Sequence, residues 1–237
     1  MTDWYKPEDA IWSPAVGSAL FEGFCRMFFR CYCLLTVEGH HHLPDGPFLL
    51  CSNHASHIDS AALMTASGRR FRNFAMVGAS DYFFQSWSVR SMVSPFMNVI
   101  PIDRRPGARS LAGCLTNCQR FLEQTGGGLI LYPEGTRSPD GEMREFKSGV
   151  GFFASKLGVP LVPAYIEGTH QVLPKGRSVP CPGAMRVRFG EPLTLARPSG
   201  NGTSLRDWRC SVVEQLRQEI KLLSFGFQHE ELAAVRE

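Results

Sequence analysis

Five short apolar runs punctuate the chain, at residues 48–51, 73–78, 99–102, 129–132 and 161–166, and stretches of helical periodicity separate them. Runs of this length read as buried strands rather than helices. Strands alternating with helices build crossover units, which make neighbouring strands parallel and cover both faces of the sheet. The expected fold is therefore α/β, a single domain with a mostly parallel central sheet flanked by helices. A sixth run, 184–189, alternates, with Arg186 and Arg188 on one side, and suits a half-exposed strand. Pro101 puts the third run at a sheet edge or a strand end. Helices are expected from Asp59, a good N-cap, and over 81–94, 108–124, 150–157 and 205–223. A chain of 237 residues accommodates one such domain and a small appendage. The boundaries read as an N-terminal amphipathic segment at 1–40, the α/β domain at 41–200 and a terminal amphipathic helix at 201–237, packed on the domain.

No stretch reaches the roughly 18 uncharged apolar residues of a spanning helix. The nearest, 15–37, is interrupted by Glu22, Arg26 and Arg30, whose spacing of four puts them on one helical face. Phe21, Phe24, Phe28, Cys31 and Leu35 fall on another, widened by Leu20, Met27 and Phe29. Such a helix either lies in a membrane interface or packs on a core. Asp3, Glu8 and Asp9 occupy the place of a basic n-region, so no secretory leader is expected. Eight cysteines without a C-x-x-C pair point to free thiols in a reducing compartment. His40, His41 and His42 have no companion ligands at metal-site spacing and suit an exposed turn. The net charge of +3 argues against a dedicated nucleic-acid binder. Arginine nonetheless outnumbers lysine 20 to 5, and its planar fork fits phosphate.

Three polar clusters follow strand ends, where open α/β sheets gather their sites: 53–59, 103–105 and 133–138. His54 is a candidate base, since imidazole titrates near neutral pH and a carboxylate fixes its tautomer. Asp59 lies five residues on, too far for one helical face but within reach across a turn. The chain has no G-x-S-x-G elbow. A base without a protein nucleophile deprotonates a substrate hydroxyl directly; the bland alternative is a loop histidine beside a helix cap. In the third cluster Gly135 permits close backbone approach, and Arg137 can grip a phosphate with two bonds. Glu134 either orients Arg137, accepts hydroxyls, or forms an ion pair in a turn. Arg104 is a phosphate clamp or a surface charge. Gly149, Gly151 and Ala154 formally match a dinucleotide fingerprint but follow a charged loop, so helix packing explains them better.

Taken in order, these clusters resemble the PlsC-type glycerolipid acyltransferases, the 1-acylglycerol-3-phosphate acyltransferase family. The N-H-x-x-x-x-D block stands at 53–59, a block similar to G-x-x-F-I-D-R at 98–104, F-P-E-G-T-R-S at 132–138 and a V-P-[IL]-V-P strand at 159–163. Phe146, Lys147, Ser148 and Gly149 add a family-like step, and the resemblance covers about 30–195. Asn98 stands where Gly is usual, Pro101 where Phe is usual, and Tyr132 replaces Phe. The first two departures touch the acceptor-binding block. The resemblance implies that His54, oriented by Asp59, is the general base. A lipid hydroxyl then attacks the thioester of acyl-CoA or acyl-carrier protein directly, without an acyl-enzyme. Asn53, Arg104, Glu134, Gly135, Thr136 and Arg137 would bind substrate, with oxyanion donors near Gly135. The implied acceptor is the sn-2 hydroxyl of 1-acyl-sn-glycerol 3-phosphate, giving phosphatidic acid in phospholipid synthesis. The alternative is another lysolipid: a lyso-ornithine lipid, another lysophospholipid or a glycolipid. No metal or other cofactor is implied. The segment 15–37 is similar to the family's membrane-docking helices, and Arg69, Arg70 and Arg72 would either meet anionic headgroups or form a solvated face. Phe83, Phe84 and Trp87 would line the acyl tunnel, touch lipid or form core. The implied location is peripheral or monotopic on the cytoplasmic face of the cell membrane. A non-catalytic lipid-binding module of the same fold is the competing class.

Overall fold

The computed structural model describes residue 10 and residues 12–80, 95–103, 107–195 and 204–234, with side chains to 225. Seven strands form one sheet: β1 (Leu35–Glu38), β2 (Phe48–Ser52), β3 (Phe74–Ala79), β4 (Asn98–Ile102), β5 (Gly128–Leu131), β6 (Leu161–Glu167) and β7 (Met185–Phe189). Their order is β1-β7-β6-β2-β5-β3-β4. The block β6-β2-β5-β3-β4 is parallel throughout. β7 runs antiparallel to β6, and β1 lies parallel to β7. The described helices are α1 (Ala15–Cys31), α2 (Asp59–Ala66), α3 (Ala108–Thr125), α4 (Gly149–Leu157), the short α5 (Thr169–Val172) and α6 (Leu205–Ala234).

The central strand β2 explains the architecture. All five of its residues are buried, so its apolar run needs cover on both sides. Phe48 and Leu50 enter a core shared with α1 and α2, where Phe29, Leu63 and Phe74 pack. Leu49 and Cys51 enter the opposite core, under α3, α4 and α6, with Phe121, Phe153 and Leu216. This is the two-residue period of a strand, with each face given a helical layer. β4 lies at a sheet edge, where Pro101 costs no ladder bond on its open side. β7 alternates buried and half-buried residues, and Arg188 Nε donates to Glu38 Oε2 of β1 at 2.6 Å.

The N-terminal helix differs from expectation in three respects. It ends at Cys31, and Leu35 belongs to β1, opposite Met185. The break falls at Leu34, which has a φ of 43°. Two of the three charges on its polar face are engaged by the fold, while Arg30 is exposed. Glu22 Oε2 accepts the Phe71 N–H at 3.0 Å, and Arg26 Nη2 donates to the carbonyls of Gly68 and Arg69 at 3.2 Å each. Those charges pin the helix to the turn after α2. The aromatic face is divided. Cys25 and Phe29 are buried and Phe21 and Phe28 pack on the core, while Val16, Leu20, Phe24 and Met27 form an exposed apolar stripe. Gly17 is needed for close approach, since a Cβ there would lie 2.1 Å from the Pro95 carbonyl oxygen. Arg69 also departs from expectation: its Nη2 donates to the Leu43 carbonyl, and its guanidinium lies over the Phe48 ring. His40 to His42 form a 3-10 turn, with His42 Nδ1 2.9 Å from the Phe189 carbonyl oxygen. The expected helix at 81–94, with Phe83, Phe84 and Trp87, lies outside the described residues.

Asn98 has a structural occupation. Its Oδ1 accepts from the N–H of Ser13 at 2.9 Å and from the Ser13 hydroxyl at 3.1 Å. Its Nδ2 donates to the carbonyls of Arg72 and Phe74 at 3.1 and 2.9 Å. A buried carboxamide thus latches the segment before α1 to the start of β4. Asn98→Ala should cost about 1–3 kcal/mol, the usual penalty for stranding buried backbone groups. Urea unfolding checks this, with a lower midpoint expected at an unchanged slope.

Candidate active site

The carboxyl ends of β2 and β5 face the same side of the sheet, and the loops that follow them interlock. His54 follows β2. Its N–H donates to Glu134 Oε1 at 2.9 Å, and its carbonyl accepts the Ser138 N–H at 2.8 Å. The backbone of His54 is thus clamped by the loop after β5. Asn53, expected among the substrate contacts, is turned inward instead. It is buried, its Nδ2 donates to the Ile166 carbonyl at 2.9 Å, and its Oδ1 accepts the Ile166 N–H at 2.8 Å. It extends the β2–β6 pairing by one step.

Asp59 is the first residue of α2, and no side-chain bond caps that helix. Its carboxylate turns back into the loop. Oδ2 accepts from His54 Nδ1 at 2.8 Å, from the Ala55 N–H at 2.8 Å and from the Ser56 N–H at 2.9 Å. The expected N-cap role is therefore replaced by one that orients the histidine. A carboxylate can only accept, so Nδ1 carries a proton, and the neutral imidazole in this tautomer presents its lone pair at Nε2. The imidazole also stacks on Tyr132, with ring centroids 3.8 Å apart and planes 13° apart. The Tyr132 hydroxyl lies 2.6 Å from Ser60 Oγ, one residue beyond Asp59. Burial, and then the charge of Asp59, hold that phenol well above its ordinary range. Ser56 Oγ donates to the Leu173 carbonyl at 2.6 Å and ties the loop to the end of α5.

Glu134 and Arg137 do not form the expected pair. The Glu134 side chain, in a residue only 2% exposed, is committed to the His54 backbone. Burial pushes its pKa up to about 7, against the opposing backbone N–H groups of His54 and Arg144. Arg137 Nη1 is buried without a hydrogen-bond partner among the described residues. Gly135 has a φ of 69°, which favours glycine, and a Cβ there would meet Lys147 Nζ at 2.8 Å. Its N–H donates to the Tyr132 carbonyl at 2.9 Å, so it is engaged in the turn rather than offered to an oxyanion. Thr136 and Arg137 line the same cleft as His54, and Arg104 lies outside the described residues.

The cleft has a volume of about 1180 Å³. His54, Tyr132 and Arg137 meet apolar walls from Met76, Ile102 and Phe152. Among the described residues the lining charge is one-sided, with Arg137, Lys147, Lys175, Arg206 and Arg209 against Asp103. Asp103 is itself occupied, accepting from Ser80 Oγ at 2.5 Å and Ser110 Oγ at 2.6 Å. Ser60, Lys147 and Arg209 are additions that the sequence motifs do not single out for such contacts. Lys147 stands in the F-K-S-G step, and the other two carry no sequence signal. Among the described residues, no group of three or more His, Cys, Asp or Glu side chains is placed to hold a metal ion. None of the described helices is long and apolar enough to cross a membrane.

The sequence profile of the family described as Acyltransferase matches residues 34–167. The chloroplastic 1-acyl-sn-glycerol-3-phosphate acyltransferase LPAT1 of Arabidopsis thaliana is 32% identical over 162 residues, 67% of this chain and 43% of the relative. The alpha form of 1-acyl-sn-glycerol-3-phosphate acyltransferase from Mus musculus is 27% identical over 163 residues, 67% of this chain and 54% of the relative. The match thus spans about half or less of these relatives' length. The crystal structure of the 1-acyl-sn-glycerophosphate acyltransferase PlsC from Thermotoga maritima superposes with a TM-score of 0.57 at 27% identity. That match covers 86% of this chain and 79% of the other.

The raised pKa of Glu134 has a definite sign. The folded state holds the proton more tightly than the unfolded chain, whose carboxyl titrates near its ordinary value of 4.5. Stability therefore falls as pH rises from about 4.5 to about 7, by an amount on the order of 3 kcal/mol. Glu134→Gln keeps an acceptor for the His54 N–H and removes the titration. Urea unfolding at pH 4.5 and 7.5 should show wild type losing stability relative to this variant as pH rises.

Proposed function

We propose that this chain, which belongs to the acyltransferase family, transfers a fatty acyl group from a thioester donor to the sn-2 hydroxyl of 1-acyl-sn-glycerol 3-phosphate. The observation that carries the reading is His54, whose Nδ1 is held by a fully buried carboxylate in a cleft where a buried Arg137 nitrogen has no partner among the described residues. The Nε2 lone pair removes the acceptor's hydroxyl proton. The oxygen forms a bond to the thioester carbonyl carbon, and the carbon–sulfur bond breaks. The thiolate leaves with the proton that His54 had taken, and no acyl-enzyme is needed. Thiolates leave readily, so this chemistry asks for no metal or redox group. Arg137 binds the acceptor's phosphate, for which its buried nitrogen is suited. Thr136 and Gly135 line the approach.

The names of the relatives support lysophosphatidate as acceptor. The residues that suggest another lysolipid have structural occupations. Asn98 is a backbone latch and Pro101 sits on an edge strand, and neither lines the cleft among its described residues. Acyl-CoA and acyl-carrier protein both remain donors of suitable chemistry. The exposed stripe of Val16, Leu20, Phe24 and Met27 on α1 supports docking in a membrane interface, with its other side held in the core. The cytoplasmic leaflet is the surface this reading assigns.

His54→Ala should lower acceptor-dependent thiol release from acyl-CoA by about 10²–10⁴-fold while the fold, read by circular dichroism, is retained. Equal rates in wild type and variant would point to a lipid-binding module instead. Arg137→Ala should raise KM for lysophosphatidate by about 10–100-fold, the worth of a charge-assisted contact. Turnover of a phosphate-free lysolipid should be unaffected by that change. Paired charges at Leu20→Glu and Phe24→Glu, both on the exposed stripe, should release the protein from liposomes in a flotation assay. Phe28 is a poorer site for such a test because it packs on the core.

A further inference from the structure

We propose that Arg206 and Arg209 of α6 form the seat for the phosphates of a phosphopantetheine thioester, the donor chemistry that coenzyme A and acyl-carrier protein share. The inference rests on the acyl-transfer reading above and assigns the donor's end of the same cleft. The cations of that cleft come from separate elements. Arg137 and Lys147 belong to the loops around His54, whereas Arg206 and Arg209 stand one turn apart on α6, beyond the residues 34–167 that the family profile matches. At this spacing they share a helical face.

Substrate geometry separates the roles. In the acceptor, one methylene and one oxygen lie between the reacting carbon and the phosphorus, so its phosphate must sit close to His54. In the donor, the long diamide arm of pantetheine separates sulfur from phosphate, so the cations that receive it must lie farther along the cleft. Arg209 is held on α4 rather than on the His54 loops: its backbone packs against Gly151, and its Nε donates to Ser155 Oγ at 3.0 Å, six residues along α4 from Gly149. The start of α4 adjoins the His54 loops, because the Lys147 N–H donates to the Pro133 carbonyl at 2.9 Å. The guanidinium of Arg209 also lies over the Phe152 ring, 5.1 Å from its centroid. Its fork is therefore oriented before any ligand arrives, while Arg206 is exposed at the mouth. Ser204 Oγ donates to Asp207 Oδ2 at 2.7 Å and accepts the Asp207 N–H at 3.1 Å, which fixes the first turn of α6.

The test measures KM for palmitoyl-CoA, for palmitoyl-carrier protein and for lysophosphatidate, in wild type, Arg206→Ala and the double variant R206A/R209A. Isothermal titration of coenzyme A alone into the same proteins provides a readout independent of turnover. The double variant should weaken coenzyme A binding and raise donor KM by about tenfold or more, with lysophosphatidate KM within twofold. R209K should restore part of the loss. A rise for both donors assigns the pair to the shared phosphate, and a rise for palmitoyl-CoA alone assigns it to the nucleotide phosphates; either upholds the seat. A rise for the carrier protein alone, a rise confined to lysophosphatidate, or no rise at all overturns it. Should loss of Arg209 prevent folding, Arg206→Glu at the exposed position carries the test. If wild type transfers no acyl group but binds coenzyme A through these arginines, the acyl-transfer reading fails and the seat stands.

Discussion

A single oxygen, Oδ2 of Asp59, accepts hydrogen bonds from one ring nitrogen and two backbone N–H groups. A carboxylate with no solvent exposure is expensive to bury unless such donors compensate it. The donors are themselves the loop from His54 to Ser56, so the compensation folds the loop. The histidine cannot leave its tautomer, and the loop cannot relax, without stranding the charge. Glu134 acts on the same loop from the other side, holding the His54 N–H, and the Ser138 N–H closes the circuit at the His54 carbonyl. The imidazole thus rests on two buried acids with different duties, one oriented to the ring and one to the backbone.

The sheet makes this circuit possible. β2 lies between β5 and β6, and the carboxyl ends of β2 and β5 release the loops that carry His54 and Glu134 side by side. Asn53 prolongs the β2–β6 pairing one residue past the strand, so His54 is held where the ladder stops. The helical layers then divide the labour. α2 brings Asp59 under the loop, α4 carries the start of a cleft wall, and α6 contributes a second set of cations from outside the matched family segment.

What the sequence discloses and what it conceals follow from range. The strands at 48–52, 74–79, 98–102, 128–131 and 161–167 are legible because burial on both faces leaves short apolar runs. His54 and Asp59 are legible because five residues separate them and one loop joins them. β1 is hidden because its four residues continue an aromatic-rich helical pattern, and the break at Leu34 rests on one backbone angle. The inward duty of Asn53 and the backbone duty of Glu134 are hidden because their partners lie 113 and 80 residues away. The same holds for Asn98 and Ser13, 85 residues apart. Glu22 and Arg26 mislead for a related reason: helical spacing reports that they share a face but not that a neighbouring turn consumes their charge.

The stacked pair of His54 and Tyr132 gives the site a voice in the spectrum. Two parallel rings with centroids 3.8 Å apart place the imidazole protons in the shielding cone of the phenol. Ring currents then move the carbon-bound proton resonances of His54 upfield, and any ligand that tilts either ring changes that displacement.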